Sequence, residues 1–332
     1  MKALHQVAYG DPAEVVKLVD LPDPEPGPGE VVVRMEAAAV HLADIKRFTG
    51  ERGFVGGNLP RIPGYEGVGR IVKTGTGVNE FKTGDRVFPW WGAGTFAELV
   101  RAPVEKMLPA PEGDAVQLSL MLVNGMTSVI LLEDFVPLGK GDWLIQNGAN
   151  SNCGRYLIKL AAEQGVKTCN IIRRPEVADT LKGLGAAAIV FDSEDEGELA
   201  KRVKDATGGA ELKLGIDMIA GPASNRLAHC LSPGGLLVNY GYMSGKPIEI
   251  HFNELFQKDI KVVGMSTGRG MAKRSMDEIR RIYDKLATMI AHGDLNAAIA
   301  GTYTLDRAAD AFRQAVMTGS DRDGKVILLP NG

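Results

Sequence analysis

Apolar residues recur along this chain in short runs divided by turns of small residues, and the period of those runs changes along its length. Runs at 31–38, 67–72, 85–88 and 94–100 are separated by turns such as Pro26-Gly-Pro-Gly29 and Thr74-Gly-Thr-Gly77, which predicts strands. From 115 to 134 the apolar positions take helical spacing. Strand and helix patterns then alternate. Strand 142–147 leads through a turn, 148–154, into helix 155–165 with Leu157, Ile158, Leu160 and Ala161 on its apolar side, and then strand 166–172. Helix 175–184, strand 188–191, helix 194–206, strand 212–219, helix 222–231, strand 235–240, edge strand 261–264 and a long helix 271–292 follow. The tail, strand 302–305, helix 306–316 and strand 325–329, returns to β character. The expected fold class is therefore α/β, a doubly wound parallel sheet over 123–294 inserted into a β-rich domain built from both chain ends, 1–122 and 295–332.

Composition narrows the function classes. A chain of 332 residues is long enough for two cores. Its apolar share of 45% and charged share of 24% are those of a soluble globular protein. A net charge of −3 gives no electrostatic case for nucleic acid or an anionic membrane. No apolar run reaches a membrane span, and the start, Met1-Lys-Ala-Leu-His-Gln6, lacks a signal-peptide pattern. Three scattered cysteines, Cys153, Cys169 and Cys230, suit a reducing cytoplasm. The expected partner is a small electrophilic molecule.

The most informative chemistry lies in 141–174. A strand, tight turn, helix and strand of this length form either a dinucleotide-binding unit, whose helix-start N–H groups hold a pyrophosphate, or an ordinary crossover. The three glycine positions of G-x-G-x-x-G are filled by Ala149, Ser151 and Gly154. Ala and Ser still let a backbone approach phosphate, and Gly154 keeps the place that packs the helix on the sheet. The tip of the second strand separates the coenzymes. An NAD-specific site puts an acid there for the ribose hydroxyls; this chain has Arg173, followed by Arg174. A guanidinium fork pairs with the 2′-phosphate of NADPH, although a solvated basic pair is the plain alternative.

Gly64-Tyr-Glu-Gly67, Thr83-Gly-Asp-Arg-Val87, Gly94-Thr-Phe-Ala97, the 148–154 turn and Gly324-Lys-Val-Ile327, in that order, resemble the medium-chain dehydrogenase/reductase family over essentially the whole chain. Gln146 to Ser151, Val123-Asn-Gly-Met-Thr127, Tyr240-Gly-Tyr-Met243 and 256–264 look like its 2-enoyl thioester reductase branch, with the quinone oxidoreductase branch close behind. The resemblance implies a Rossmann domain, a GroES-like domain from the chain ends, and a homodimer joined along strand 260–264. In metal-dependent members the catalytic ligands stand at positions matching His41 and Tyr65. Tyrosine is a poor zinc ligand, and Pro89-Trp-Trp-Gly92 runs straight on where a four-cysteine zinc lobe would follow, so no metal is expected. The likeness departs at Gly50-Glu-Arg52, where that branch carries a tyrosine, and at Ser266, where it carries a tryptophan.

By this resemblance Asn124 and Thr127 stand near the nicotinamide, and Asn150, Ser151, Asn152 and Cys153 around the pyrophosphate. Arg173 and Arg174 take the 2′-phosphate; Tyr240, Gly241 and Met243 line the cofactor side; Lys325 arrives from the returning domain. Arg52 either orients a carbonyl or carboxylate or is a solvated loop residue. Tyr65 is an acid–base candidate or a core residue, Asp44 a helix cap, and Trp90 and Trp91 acceptor-pocket walls or plain cover. The expected activity is NADPH-dependent, zinc-independent hydride delivery to a 2-enoyl thioester, enone or quinone. The alternatives are an NADPH:quinone oxidoreductase specifically, and a non-catalytic NADPH-binding sensor.

Overall fold

A computed structural model describes residues 1–51, 53–317 and 324–332. Its strands are β1 (Lys2–Gln6), β2 (Val16–Asp20), β3 (Glu30–Val40), β4 (Gly67–Thr74), β5 (Arg86–Pro89), β6 (Leu99–Pro103) and β7 (Met107–Pro109), then β8 (Trp143–Gln146), β9 (Lys167–Ile172), β10 (Ala188–Phe191), β11 (Leu212–Asp217), β12 (Leu236–Asn239), β13 (Lys261–Gly264), β14 (Ile299–Thr304) and β15 (Lys325–Leu329). They fall into two compact units, Met1–Val123 with Asp277–Gly332, and Asn124–Met276.

The first unit holds a sheet in the order β14-β15-β3-β4-β5-β7, with β6 also on β3, and a separate β1-β2 hairpin. Its centre is β3. Val31, Val32, Val33, Met35, Ala37, Ala38 and Ala39 are all fully buried, because β15, β4 and β6 pair with it and both faces are covered. The β4 glycines are needed at this seam. A Cβ on Gly67 would sit 2.6 Å from the Ala37 carbonyl oxygen, and one on Gly69 2.3 Å from that of Arg34. On one side of the sheet Phe48, Phe96 and Phe312 pack with Leu4, Val326 and Leu328, the Phe48 and Phe312 rings meeting edge-on at 5.2 Å.

The second unit is a parallel sheet, β10-β9-β8-β11-β12-β13, the doubly wound arrangement expected. Helices Asn152–Glu163, Ala178–Gly183, Glu196–Thr207 and Pro222–Cys230 alternate with its strands. Parallel strands covered on both faces read as continuous apolar runs, as Leu144, Ile145, Leu214 and Ile216 do. Among the described residues no helix is long and apolar enough to cross a membrane.

Several elements differ from the sequence reading. The helix expected over 115–134 is three pieces: a turn Ala115–Leu118, a π-helical stretch Met121–Met126, and a helix Thr127–Glu133. The Ser128 hydroxyl takes the Asn124 carbonyl at 2.7 Å, a side-chain competitor for the main-chain ladder. Of the strand expected over 94–100, only Leu99 onward belongs to β6; before it Gly94 turns the chain at φ +79° and Ala97 bridges Ala3 of β1. The helix expected over 271–292 is Thr267–Met271 and Met276–Ala291. The sequence placed the second crossing after 294; the chain crosses at Met276, because the helix Met276–Ala291 buries Ile279, Tyr283 and Leu286 on the first unit, Tyr283 lying 6.0 Å from Phe88 ring to ring. Hairpin β1-β2 was not legible in the sequence.

Candidate active site

In the second unit the turn 148–154 is built by three local devices. Gly148 adopts φ +60°, the left-handed conformation that lets the chain reverse. The Ser151 N–H donates to the Gly148 carbonyl at 2.9 Å, and its hydroxyl caps the helix Asn152–Glu163 by accepting from the Gly154 N–H at 3.1 Å. A Cβ on Gly154 would stand 2.7 Å from the Ala149 carbonyl oxygen, so only glycine lets this helix lie so close to the strand before it. Beneath the turn runs a buried amide ladder: Gln146 Nε2 donates to the Gly154 carbonyl at 3.1 Å and to Asn170 Oδ1 at 2.8 Å, and Asn170 Nδ2 donates to Thr168 Oγ1 at 2.9 Å.

A second anchor is the fully buried Asp217 at the end of β11. Its Oδ1 accepts from Asn147 Nδ2 at 2.7 Å and from the N–H groups of Ile219 and Ala220 at 3.0 and 3.1 Å. Its Oδ2 accepts from the Ser224 hydroxyl at 2.6 Å and from Asn239 Nδ2 at 2.9 Å. This one carboxylate therefore ties together the carboxyl ends of β8, β11 and β12, the edge where open α/β sheets bind ligands.

The expected cofactor residues gather on this unit. Asn150 lends its carbonyl to Arg155 Nε at 3.0 Å. Asn152 and Cys153 are buried at the helix start, and Cys153 Sγ lies 3.3 Å from the Ser128 hydroxyl. Asn124 and Thr127 are buried at the π-helical stretch, with Thr127 Oγ1 2.6 Å from Thr267 Oγ1. Tyr240 has a buried hydroxyl with no hydrogen-bond partner among the described residues, beside Cys153 and Ser151; burial, then Cys153, raises its pKa well above the usual phenol value. An orphaned donor at a helix N-terminus fits a phosphate oxygen. Gly241 has a plain backbone reason, since its Cβ would meet the Met218 carbonyl oxygen at 2.3 Å. Met243 is largely exposed. Arg173 follows the last residue of β9, is exposed, and has no carboxylate within ion-pair distance among the described residues. Arg174 lies 3.7 Å from Glu176. The nearest acid after the next strand, Asp192, is held by Arg226 at 3.0 Å.

The first unit holds the remaining candidates. Lys325 Nζ stands 3.2 Å from His41 Nδ1, and His41 Nε2 is hydrogen-bonded to Glu66. Both ring nitrogens of His41 are thus taken by protein groups. Glu66 also accepts the Val123 N–H at 2.8 Å, and Asp44, expected as a helix cap, accepts the His41 N–H at 2.8 Å from the first turn of the helix Leu42–Thr49. Burial pushes the Asp44 carboxyl up to about 7 and the Glu66 carboxyl up to about 8. Tyr65 is half-buried, packs on Trp91 at 4.8 Å between ring centres, and accepts a long 3.5 Å hydrogen bond from Arg47 Nη1; burial raises its phenol. Arg52 lies outside the described residues. Among the described residues no group of three or more His, Cys, Asp or Glu side chains is placed to hold a metal. Asp217, Ser128 and the His41–Glu66–Lys325 contacts were not foreseen as a set; the visible signal for Asp217 was an acid closing an apolar strand.

Two family models match the chain: the alcohol dehydrogenase GroES-like domain over residues 27–112 and the zinc-binding dehydrogenase over residues 153–284. The chain is 33% identical over 304 residues to the mitochondrial enoyl-[acyl-carrier-protein] reductase of Bos taurus, covering 90% of this chain and 80% of that protein. It superposes on a quinone oxidoreductase from Pseudomonas syringae with a TM-score of 0.83 and 27% identity, over 99% of each chain. A mycobacterial protein complexed with NADPH gives a TM-score of 0.84 at 25% identity, over 99% of this chain and 100% of that one.

The two buried carboxyls set a pH dependence. Their folded values lie above their unfolded ones of roughly 4, so the folded state keeps protons that the unfolded chain has lost, and stability falls as the pH rises toward 8. Asp44→Asn keeps an oxygen for the His41 N–H and removes one of the two titrations. Calorimetry from pH 5.5 to 8.5 should then show the variant losing about 3 °C less in Tm than the parent, corresponding to about 2 kcal/mol; parallel curves would refute the assignment.

Proposed function

The chain belongs to the medium-chain dehydrogenase/reductase family, as an oxidoreductase, and on that premise we propose that it is an NADPH-dependent, zinc-independent reductase of activated conjugated acceptors. The observation that carries this reading is the arginine pair closing β9, with Arg173 exposed, no carboxylate paired with it among the described residues, and no acid at the strand tip. A 2′-phosphate is the group such a pair recognises, because the planar fork offers two parallel donors and NAD lacks the phosphate.

Ser151, Asn152 and Cys153 at the helix start, and the buried Tyr240 hydroxyl, are the groups suited to a pyrophosphate. Asn124 and Thr127 are assigned to the nicotinamide end. When bound, the nicotinamide supplies a hydride to the electron-poor carbon of a 2-enoyl thioester, enone or quinone, and a proton completes the reduction. The protein's part is to orient the two reactants and exclude water. The zinc-independent reading is supported by Tyr65 at a family ligand position and by the engagement of both His41 nitrogens. The acceptor-side groups, Tyr65 and its neighbours, belong to the first unit. Lys325 is bonded to His41 within that same unit. A reducing, cytoplasmic setting fits three cysteines that form no disulfide.

The same reading includes a homodimer. Among the described residues the β13 edge carries no further strand, Val263 on it is exposed, and the stacked rings of Phe252 and Phe256 lie 68% and 73% exposed nearby in sequence, an apolar display that a second copy would cover.

Three measurements test the proposal. Titration should show NADPH bound at least tenfold more tightly than NADH, and Arg173→Ser with Arg174→Ser should remove most of that preference; equal affinities in the parent would defeat the coenzyme assignment. NADPH oxidation should appear with at least one of the quinone, enone and 2-enoyl thioester classes, and silence across all three with coenzyme bound would defeat the reductase assignment. Sedimentation equilibrium should give a dimer for the parent and a monomer for Val263→Asp; a monomeric parent would overturn the dimer.

A further inference from the structure

Two arginines of the first unit converge on one backbone oxygen. Arg47, from the helix Leu42–Thr49, donates through Nη2 to the Gly56 carbonyl at 3.3 Å, and Arg61 donates through Nη1 to the same carbonyl. A Cβ on the neighbouring Gly57 would find Arg61 Nη1 at 3.4 Å and Arg47 Nη2 at 4.0 Å, so the two guanidinium groups lie side by side. Such a pair repels itself unless something negative lies near it.

Their remaining hydrogen-bond partners are neutral, Tyr9 beside Arg61 among them, and the acid whose charge Arg47 feels, Asp44, forms no ion pair with it. Arg61 donates through Nε and Nη2 to Gln6 Oε1 at 3.0 and 2.7 Å. Arg47 reaches the Tyr65 hydroxyl only at 3.5 Å and lies over its ring, and its Nε is buried with no hydrogen-bond partner. No carboxylate pairs with either arginine among the described residues. Gln6 is fully buried and fixes Arg61, and Trp91 packs against Tyr65, so the pair is held against an aromatic wall rather than waving in solvent. Arg47 is the under-used member, with three of its five N–H donors bonded to nothing among the described residues.

We propose that Arg47 and Arg61 form a subsite for an oxyanion of the acceptor: a reducible molecule that carries a carboxylate, or a phosphate on its carrier group. Two adjacent planar forks beside a flat aromatic face suit a planar conjugated anion, and a carboxylate can accept from both guanidinium groups at once. The inference rests on the reductase reading, because the unit that bears the pair is the one assigned there to the acceptor. Tyr65 is a positioning residue here, its ring supporting Arg47.

Isothermal titration of the full chain with crotonate, in the presence of saturating NADPH, tests the subsite without requiring turnover. Saturable binding should weaken at least tenfold in Arg47→Gln and in Arg61→Gln, and recover in part in Arg47→Lys. Unchanged NADPH affinity in each variant would report that the second unit stays folded. A second arm compares crotonyl-CoA with the uncharged N-acetylcysteamine thioester: a preference for the former that the Arg47→Gln change abolishes assigns the oxyanion to the carrier phosphate instead. Failure of the parent to bind crotonate or to distinguish the two thioesters, or binding indifferent to both substitutions, overturns the proposal. Loss of the reductase reading would show differently, as oxyanion binding that persists while no acceptor consumes NADPH.

Discussion

The Asp217 carboxylate is the constraint on which the nucleotide-side architecture depends. Three parallel strands end where it sits, and each contributes a partner or the acid itself: Asn147 follows β8, Asp217 closes β11 and Asn239 closes β12. A buried carboxylate without donors would be ruinous to stability, but here five hydrogen bonds satisfy it. The same contacts hold the main chain through Ala220 and Gly221, both at positive φ, and place the Met218 backbone against Gly241. The turn 148–154 inherits its position from Asn147, whose Oδ1 in turn accepts the Met218 N–H at 2.8 Å. The ligand-facing edge of the sheet is thus a single hydrogen-bonded body.

Much of this was legible in the sequence, for a physical reason. Parallel strands covered on both faces are apolar runs and their crossover helices have helical periodicity, so the alternation from 142 to 264 could be read directly. The failures have causes too. The π-helical stretch Met121–Met126 keeps helical apolar spacing, so periodicity cannot distinguish it from a regular helix. The helix Met276–Ala291 is equally amphipathic whichever unit it covers; only the Tyr283–Phe88 contact decides, and that contact joins distant parts of the sequence. Strands β1 and β2 are short and partly exposed, which weakens their alternation.

The candidate site divides along the same line. Gly154 as a close-approach glycine and Arg173 at a strand tip are local features, and each stands where its pattern put it; the helix begins at Asn152 rather than 155, with Ser151 as its cap. The contacts that tertiary structure makes between such groups were invisible. His41 and Lys325 are 284 residues apart and meet only because β15 pairs with β3. Arg47 and Arg61 carry no pattern that singles them out in the sequence, and only the fold around Gly56 brings them to one oxygen. Ser128 looked like a neutral helix position, yet its hydroxyl serves carbonyls of both Asn124 and Cys153.

The pairing of β3 with β15 also bears on how the protein is made. The central strand of the first unit emerges early from the ribosome, but one of its neighbours is synthesised only after the entire parallel-sheet unit. Residues 124–276 can collapse on their own core while the N-terminal segment still presents an incomplete sheet. During that interval the Val31–Val40 run is a sticky seam with a vacancy beside it, and its protection falls to chaperones or to β4 and β6 alone. The insertion that divides one unit's sequence around another therefore favours an order of assembly, with the parallel-sheet unit closing first and the unit built from both chain ends sealed last.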